Sequence, residues 1–202
     1  MNLPFNWVDI AILLVLGWGV QRGRKHGMSE ELMLVIKWLA IIIVGAFSYS
    51  ILGDFLVENT VFSHLASYTM AYFAVALIIT GAFLAMKKLT RGKLVGSDVF
   101  GGAEYYLGMA AGVLRYSCIL VFAFAFINAP LYTQADIKAK QEYQNEWYGS
   151  DFFPGFQTLQ SAVFEKSFVG PYVHSGLGFL LIKSTPFENK GIKRQQYQEL
   201  PQ

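Results

Sequence analysis

Four long runs of apolar residues constrain the fold of this chain more than any other feature. They cover residues 5–21, 32–52, 65–86 and 102–127. A hydrocarbon core about 30 Å thick takes about 20 residues of α-helix at 1.5 Å per residue. Because a segment in hydrocarbon must satisfy its own backbone hydrogen bonds, each run is predicted to be a membrane-spanning helix.

The composition indicates a chain that is solvated by lipid. Hydrophobic residues make up 54% of the 202 residues and charged residues only 15%, which is too little charge to cover a water-soluble globule. The net charge of +2 argues against a nucleic-acid partner. The expected fold class is all-α: an integral membrane four-helix bundle over residues 1–130, followed by a tail over residues 131–202.

Basic residues set the expected orientation of the bundle. They cluster in the first and third connections between the apolar runs, as Arg22, Arg24, Lys25, Lys87, Lys88, Arg91 and Lys93. Such clusters are retained on the cytoplasmic side of a membrane. With four spans, the N-terminus and the tail are then expected on the far side.

The tail carries an aromatic stripe. Apolar residues recur there at spacings of three to four, as expected for an amphipathic helix. They are Phe152, Phe153, Phe156, Leu159, Val163, Phe164, Phe168 and Tyr172. A helix of this kind lies in the membrane interface or against the bundle, and its phenylalanines are candidate docking residues. The polar residues 188–202 are predicted to form an extended arm that a partner orders.

The fourth apolar run carries the polar groups of greatest interest. Glu104, Gly108, Gly112 and Arg115 share one helix face because they are three or four residues apart. The two glycines allow another helix backbone to approach closely. Arg115 lies about 16 Å along the helix from Glu104, near the bilayer centre, where a charge costs about 2.5 to 3.5 kcal/mol. The arginine is therefore expected to point into protein or water.

Three roles stay open for Arg115 at this stage. It could form a structural ion pair with an acid from another span, take part in conduction or proton movement, or extend to the interface. Asp9, near the start of the first run, is a possible intramembrane acid. Neither Asp9 nor Glu104 is expected to reach Arg115 without tilt, water or a neighbouring subunit.

No pattern in the chain predicts catalysis. The three histidines, His26, His64 and His174, are far apart and lack acidic or cysteine companions at metal-ligand spacing. The chain also lacks a nucleophile elbow and a phosphate-binding glycine loop. We therefore expect no enzyme activity, no metal and no cofactor.

Several of these residues resemble the motifs of the colicin V production protein (CvpA) family, small bacterial inner-membrane proteins of four spans. The resemblance begins at Val8 and Asp9, and its further positions are Gly27, Glu31, Trp38, Gly108, Gly112, Arg115, Trp147, Ser150 and Pro154. The chain departs from the family where His26 and Tyr105 stand in place of arginines and Tyr116 in place of a glycine. The resemblance implies a location in the bacterial inner membrane and a link to toxin production or export and to envelope homeostasis.

Three functional hypotheses follow, of which the first is favoured. In the first, the chain is a structural or accessory subunit of a larger envelope complex, with membrane lipid and other membrane proteins as partners. In the second, it is a homo-oligomeric channel or exporter component in which Arg115 lines a polar path. The third hypothesis, an enzyme that acts on a lipid, would depend on Glu104 and nearby tyrosines.

Overall fold

The computed structural model describes residues 6–89, 101–132 and 155–186. Within these ranges the chain is mostly helical, with short turns between the helices and two very short strands. The elements in chain order are α1 (Trp7–Asn59), α2 (His64–Leu89), a 3-10 turn (Gly101–Ala103), α3 (Glu104–Asn128), β1 (Pro130–Leu131), α4 (Phe156–Phe164), α5 (Gly170–Leu177), a second 3-10 turn (Gly178–Leu180) and β2 (Thr185–Pro186). The strands pair in parallel, with Pro130 opposite Thr185.

Three helical segments are long and apolar enough to cross a membrane, namely α1, α2 and the segment Gly101–Asn128 that contains α3. The third and fourth predicted spans correspond to α2 and α3. The first, from Trp7 onward, and the whole of the second fall within α1. The 53 residues of this helix would extend about 80 Å if it were straight. Arg22, Arg24 and Lys25 were predicted to lie in a connection, but they are helical.

A break at Gly27 divides α1 into a first arm, residues 7–26, and a second arm, residues 28–59. Gly27 has φ 72° and ψ 174°, a backbone conformation that is strained for residues with a side chain. In the first arm, Gly19 lies against Gly112 of α3 and Gly23 lies against Gly108. The first arm therefore runs antiparallel to α3.

The second arm of α1 also packs along α3, but it runs in the direction opposite to that of the first arm. Glu31 bonds to Arg115, and further along the arm Trp38 packs edge to face on Phe122, with 5.6 Å between the ring centroids. Because residue numbers now increase together on the two helices, the second arm is parallel to α3. The chain thus reverses direction at Gly27.

Helix α2 packs on the second arm through tyrosine rings that lie on glycines. The ring of Tyr68 contacts Gly53, and the ring of Tyr72 contacts Gly45. Because the later tyrosine meets the earlier glycine, α2 runs antiparallel to the second arm. Its last turn, which carries Lys87, is therefore directed toward the end of the bundle where Gly27 lies, called here the Gly27 end.

The described part of the tail covers the opposite end, called here the Asn128 end. The Asn128 side-chain amide donates to the carbonyl of Ile182 over 2.9 Å, and the backbone N–H of Lys183 donates to the Tyr49 hydroxyl over 3.1 Å. Val163 and Ile182 of the tail belong to the same buried core cluster as Phe124 and Ala125 of α3. Residues 155–186 therefore share a hydrophobic core with the bundle.

The aromatic stripe of the tail is divided between two short helices. The chain leaves α4 after Phe164 and enters α5 at Gly170, with Ser167 buried in the turn between them. Phe156 and Phe168 are exposed by 41% and 55%. Phe164, grouped with the docking residues by its spacing, instead packs against Phe124 with 6.1 Å between centroids. Phe152, Phe153 and the predicted arm at 188–202 lie outside the described residues.

Candidate functional site: a charged, glycine-packed bundle interior

A glycine interface joins the first arm of α1 to α3. It consists of Gly19, Gly23, Gly27, Gly108 and Gly112. A Cβ atom added at Gly108 would lie 2.5 Å from the Gly23 carbonyl oxygen, and one added at Gly19 would lie 2.9 Å from the Gly112 carbonyl oxygen. These distances leave no room for a side chain, so the two backbones are in direct contact. The expected approach of a helix to Gly108 and Gly112 occurs within this one chain.

An ion pair lies in the interior beside this interface. One guanidinium nitrogen of Arg115, Nη1, donates to both carboxylate oxygens of Glu31, over 3.0 Å to Oε2 and 3.2 Å to Oε1. The Glu31 side chain is fully buried and the Arg115 side chain is 12% exposed. Each charge compensates the other in a region that solvates isolated charges poorly. Arg115 therefore points into protein, and its partner is the acid that immediately precedes the second predicted span.

Glu104 binds the start of the second arm. Its Oε1 accepts the backbone N–H of Ser29 over 2.6 Å, two residues after the break at Gly27. The first backbone N–H groups of a helix have no partner within the helix, and a carboxylate there also complements the helix dipole. Glu104 thus stabilises the reversal of the chain from the neighbouring helix α3.

Asp9 joins the start of α1 to the tail. Its side chain is 3% exposed, and its Oδ1 accepts the backbone N–H groups of Phe168 over 3.0 Å and Val169 over 3.4 Å. The other oxygen, Oδ2, accepts the N–H of Asn6 over 2.9 Å. The carboxylate therefore lies just before the N-terminus of α5, where a negative charge is favourable.

The remaining predicted site residues fall in three places. Trp38 is half-buried against α3, whereas Arg22, Arg24, Lys25, Lys87 and Lys88 are exposed on helices at the Gly27 end. The guanidinium of Arg24 lies 5.1 Å from the centroid of the Tyr105 ring. The positions that lie outside the described residues are Arg91, Lys93, Trp147, Ser150 and Pro154.

Two features of this interior were missed at the sequence level. Gly19 and Gly23 were not assigned to helix packing, although with Gly27 they repeat every four residues, which is the signal that marked Gly108 and Gly112. Glu31 was identified only by its resemblance to a family motif. Its pairing with Arg115 was not anticipated.

A polar cleft of about 660 Å³ opens between the tail and the Asn128 end of the bundle, with Asn128, Gln160 and His174 among its lining residues. Tyr132 also lines it, and burial raises the pKa of this phenol above its ordinary value.

Among the residues that the structure describes, no group of three or more His, Cys, Asp or Glu side chains could hold a metal ion.

Three helical segments that are long and apolar enough to cross a membrane are consistent with a membrane protein. Residues 8–161 match the family described as Colicin V production protein. The chain therefore belongs to the Colicin V production protein family, which confirms the resemblance seen in its motifs and links it to production of that toxin. No curated protein matches the chain significantly, and no solved structure does so either.

Proposed function

We propose that this chain is a structural subunit of a larger envelope complex in the bacterial inner membrane and that it has no catalytic activity. The single observation that carries the proposal is the ion pair between Arg115 and Glu31, which lies inside one chain. A buried charge that is already paired holds helices in register. The polar groups of the interior thus serve the packing of the chain itself.

We further propose that the bundle crosses the membrane four times, with the Gly27 end in the cytoplasm. The reversal at Gly27 supports this, because the two arms of α1 pass α3 in opposite senses. The exposed basic residues Arg22, Arg24 and Lys25 lie near the reversal, and the last turn of α2 is directed toward the same end, as expected for the cytoplasmic side. The N-terminus of α1 and the tail then share the other side.

A labelling experiment tests the crossing number and the orientation. Lys25 and Lys166 are both exposed. Each can be replaced by cysteine in a Cys118→Ser background, because Cys118 is the one cysteine in the sequence. We expect a membrane-impermeant maleimide to label Lys166→Cys on intact spheroplasts and Lys25→Cys only after the membrane is opened. Labelling of both sites from the same side would contradict the proposed arrangement.

The tail is the proposed docking surface for other membrane proteins of the complex. Phe168 and Tyr172 are 55% and 67% exposed, and their rings pack on each other with 5.6 Å between centroids. Aromatic side chains of this kind are enriched at protein interfaces. The alternative is that these rings contact the lipid headgroup region and not a protein. Native extraction of the chain distinguishes the two alternatives.

Native extraction followed by mass spectrometry tests the subunit role. We expect the chain to be recovered with other membrane proteins, and the double variant Phe168→Ser, Tyr172→Ser to lose them while it still inserts. Phe62→Ser is the matched control, because Phe62 is also an exposed aromatic residue, at 41%, next to the start of α2. A lone monomer from the native extract would oppose the proposal.

The channel hypothesis is tested by flux through reconstituted vesicles. The pairing of Arg115 with a fully buried acid of its own chain weighs against an arginine that lines a polar path. We therefore expect Arg115→Leu to leave ion and solute flux unchanged at equal protein incorporation. A change in flux would favour the channel hypothesis over the structural one.

The hypothesis of an enzyme that acts on a lipid depended on Glu104. The Glu104 carboxylate instead accepts a hydrogen bond from the backbone N–H of Ser29, which offers no support for that hypothesis.

A further inference from the structure

An open groove runs along the exposed face of the first arm of α1, where Met109 of the neighbouring helix α3 also lines it. It has a volume of about 470 Å³, and Leu13, Leu14, Gly17 and Trp18 line its apolar part. Gly17 forms the notch, because a Cβ atom added there would meet nothing within 4 Å. Leu14 and Trp18 are 69% and 61% exposed, so the groove faces the surroundings of the bundle and not its core.

One end of the groove is polar and positively charged. Gln21 and Arg24 line it there, and the spacing of four and seven residues from Gly17 places both on the same face of the helix. The ring of Tyr105 lies 5.1 Å from the Arg24 guanidinium, which positions the cation at the mouth of the groove. The groove therefore complements a molecule with an apolar body and a negative head.

The dimensions of the groove match one leaflet of a bilayer. From Leu13 to Arg24 is eleven residues, or about 16 Å along a helix, and half of a hydrocarbon core is about 15 Å. Arg24 would then lie at the level of the lipid phosphates when the apolar part lies at the level of the acyl chains. A basic side chain at that depth is attracted to anionic lipid headgroups.

We propose that this groove is a binding site for one anionic phospholipid. An acyl chain lies along Gly17 between the exposed side chains of Leu14 and Trp18, and the phosphate group contacts Arg24 and Gln21. The inference rests on the proposed crossing of the membrane by the first arm, and it places the lipid in the leaflet at the Gly27 end. The proposed docking surface for other proteins is the tail, so the lipid site uses a different surface of the chain.

The test is native mass spectrometry of the full chain titrated with phosphatidylglycerol or phosphatidylcholine in detergent. We expect the wild type to prefer phosphatidylglycerol, and Gly17→Leu to abolish that preference because the leucine side chain fills the notch. Gly81→Leu is the matched control, since Gly81 is also exposed on a long apolar helix with nothing within 4 Å of an added Cβ. It should bind the lipid like the wild type.

Three variants test the charged end of the groove. We expect Arg24→Gln to weaken phosphatidylglycerol binding about fivefold, the usual contribution of one basic residue at an anionic surface. Arg24→Lys should retain most of the affinity. Arg22→Gln removes another exposed positive charge that does not line the groove, and it should change the affinity by less than twofold.

Three outcomes would overturn the lipid site. The first is equal binding of the two phospholipids by the wild type, and the second is equal behaviour of Gly17→Leu and Gly81→Leu. The third is loss of a dimer in Gly17→Leu, which would make the groove a docking site for a second copy of the chain. Alkaline carbonate extraction of the same variants tests insertion separately, so failure of the lipid site and failure of the membrane crossing are distinguishable.

Discussion

Removal of one member of the Glu31 and Arg115 pair is the most informative perturbation of this bundle. Glu31→Leu deletes both acceptors of the Arg115 Nη1 group, at 3.0 and 3.2 Å, and leaves a guanidinium without its counter-ion in an interior where its partner is fully buried. Breaking a buried pair in this way costs about 3 to 5 kcal/mol. The double variant Glu31→Leu, Arg115→Leu removes both charges, so its cost should be smaller than that of Glu31→Leu.

The assay is reversible unfolding of the purified chain in mixed micelles with increasing sodium dodecyl sulfate, followed by circular dichroism. Glu30→Leu is the matched control, because Glu30 is the adjacent acid and is partly exposed; a surface change of this kind should alter stability by less than about 0.5 kcal/mol. Arg115→Leu is measured in the same assay. If the double variant lost as much unfolding free energy as Glu31→Leu and Arg115→Leu lose together, the two charges would be energetically independent and the ion pair would not account for the stability.

Three further predictions concern the packing and the tail. Gly108→Ala should lower the unfolding free energy by about 1 to 3 kcal/mol because its methyl group overlaps the facing backbone, whereas Gly81→Ala, in open space, should not destabilise the chain; equal losses would contradict the interface. Gly27→Ala should cost about 1 to 2 kcal/mol in the same unfolding assay because its φ is positive, and unchanged stability would argue against the break. Asp9→Ala should increase hydrogen exchange at residues 168–169, since the Phe168 N–H loses its acceptor; unaltered exchange would show that the tail is held without this contact.

Much of the helical arrangement could be predicted because hydrocarbon imposes simple rules. The apolar runs at 65–86 and 102–127 correspond closely to α2 and α3. A helix that crosses a membrane needs about 20 apolar residues, so its position can be read from the sequence. The reversal in α1 was harder to predict. A short connection was expected around Arg22, but the helix continues to Gly27, where one glycine with positive φ makes the turn that a loop was expected to make.

The ion pair was predictable only in part. Helical periodicity placed Arg115 on a face with Gly108 and Gly112, and the cost of an isolated charge in lipid predicted that it points into protein or water. Periodicity describes one helix at a time and does not say which faces meet. The Glu31 partner depends on the register between the second arm and α3, which is set by contacts such as Trp38 on Phe122 that a single sequence does not reveal.

The tail shows a different limit of sequence patterns. Its aromatic spacing is continuous from Phe156 to Tyr172, which favoured one amphipathic helix. The chain turns instead at residues 165–169, where the Ser167 hydroxyl accepts the backbone N–H of Gly170 over 2.8 Å. Local polar contacts of this kind compete with helix formation, so the apolar residues of one stripe end up on both exposed and buried surfaces.

The bond between Asp9 and Phe168 has a consequence for how the chain is made. The two residues are 159 positions apart, so at about 5 to 20 residues per second the ribosome needs roughly 10 to 30 s to supply the partner of an aspartate that has already emerged. Throughout that interval the carboxylate depends on water or on the insertion machinery for solvation. The buried contacts at the start of α1 are thus completed only after the segment around Phe168 has been synthesised.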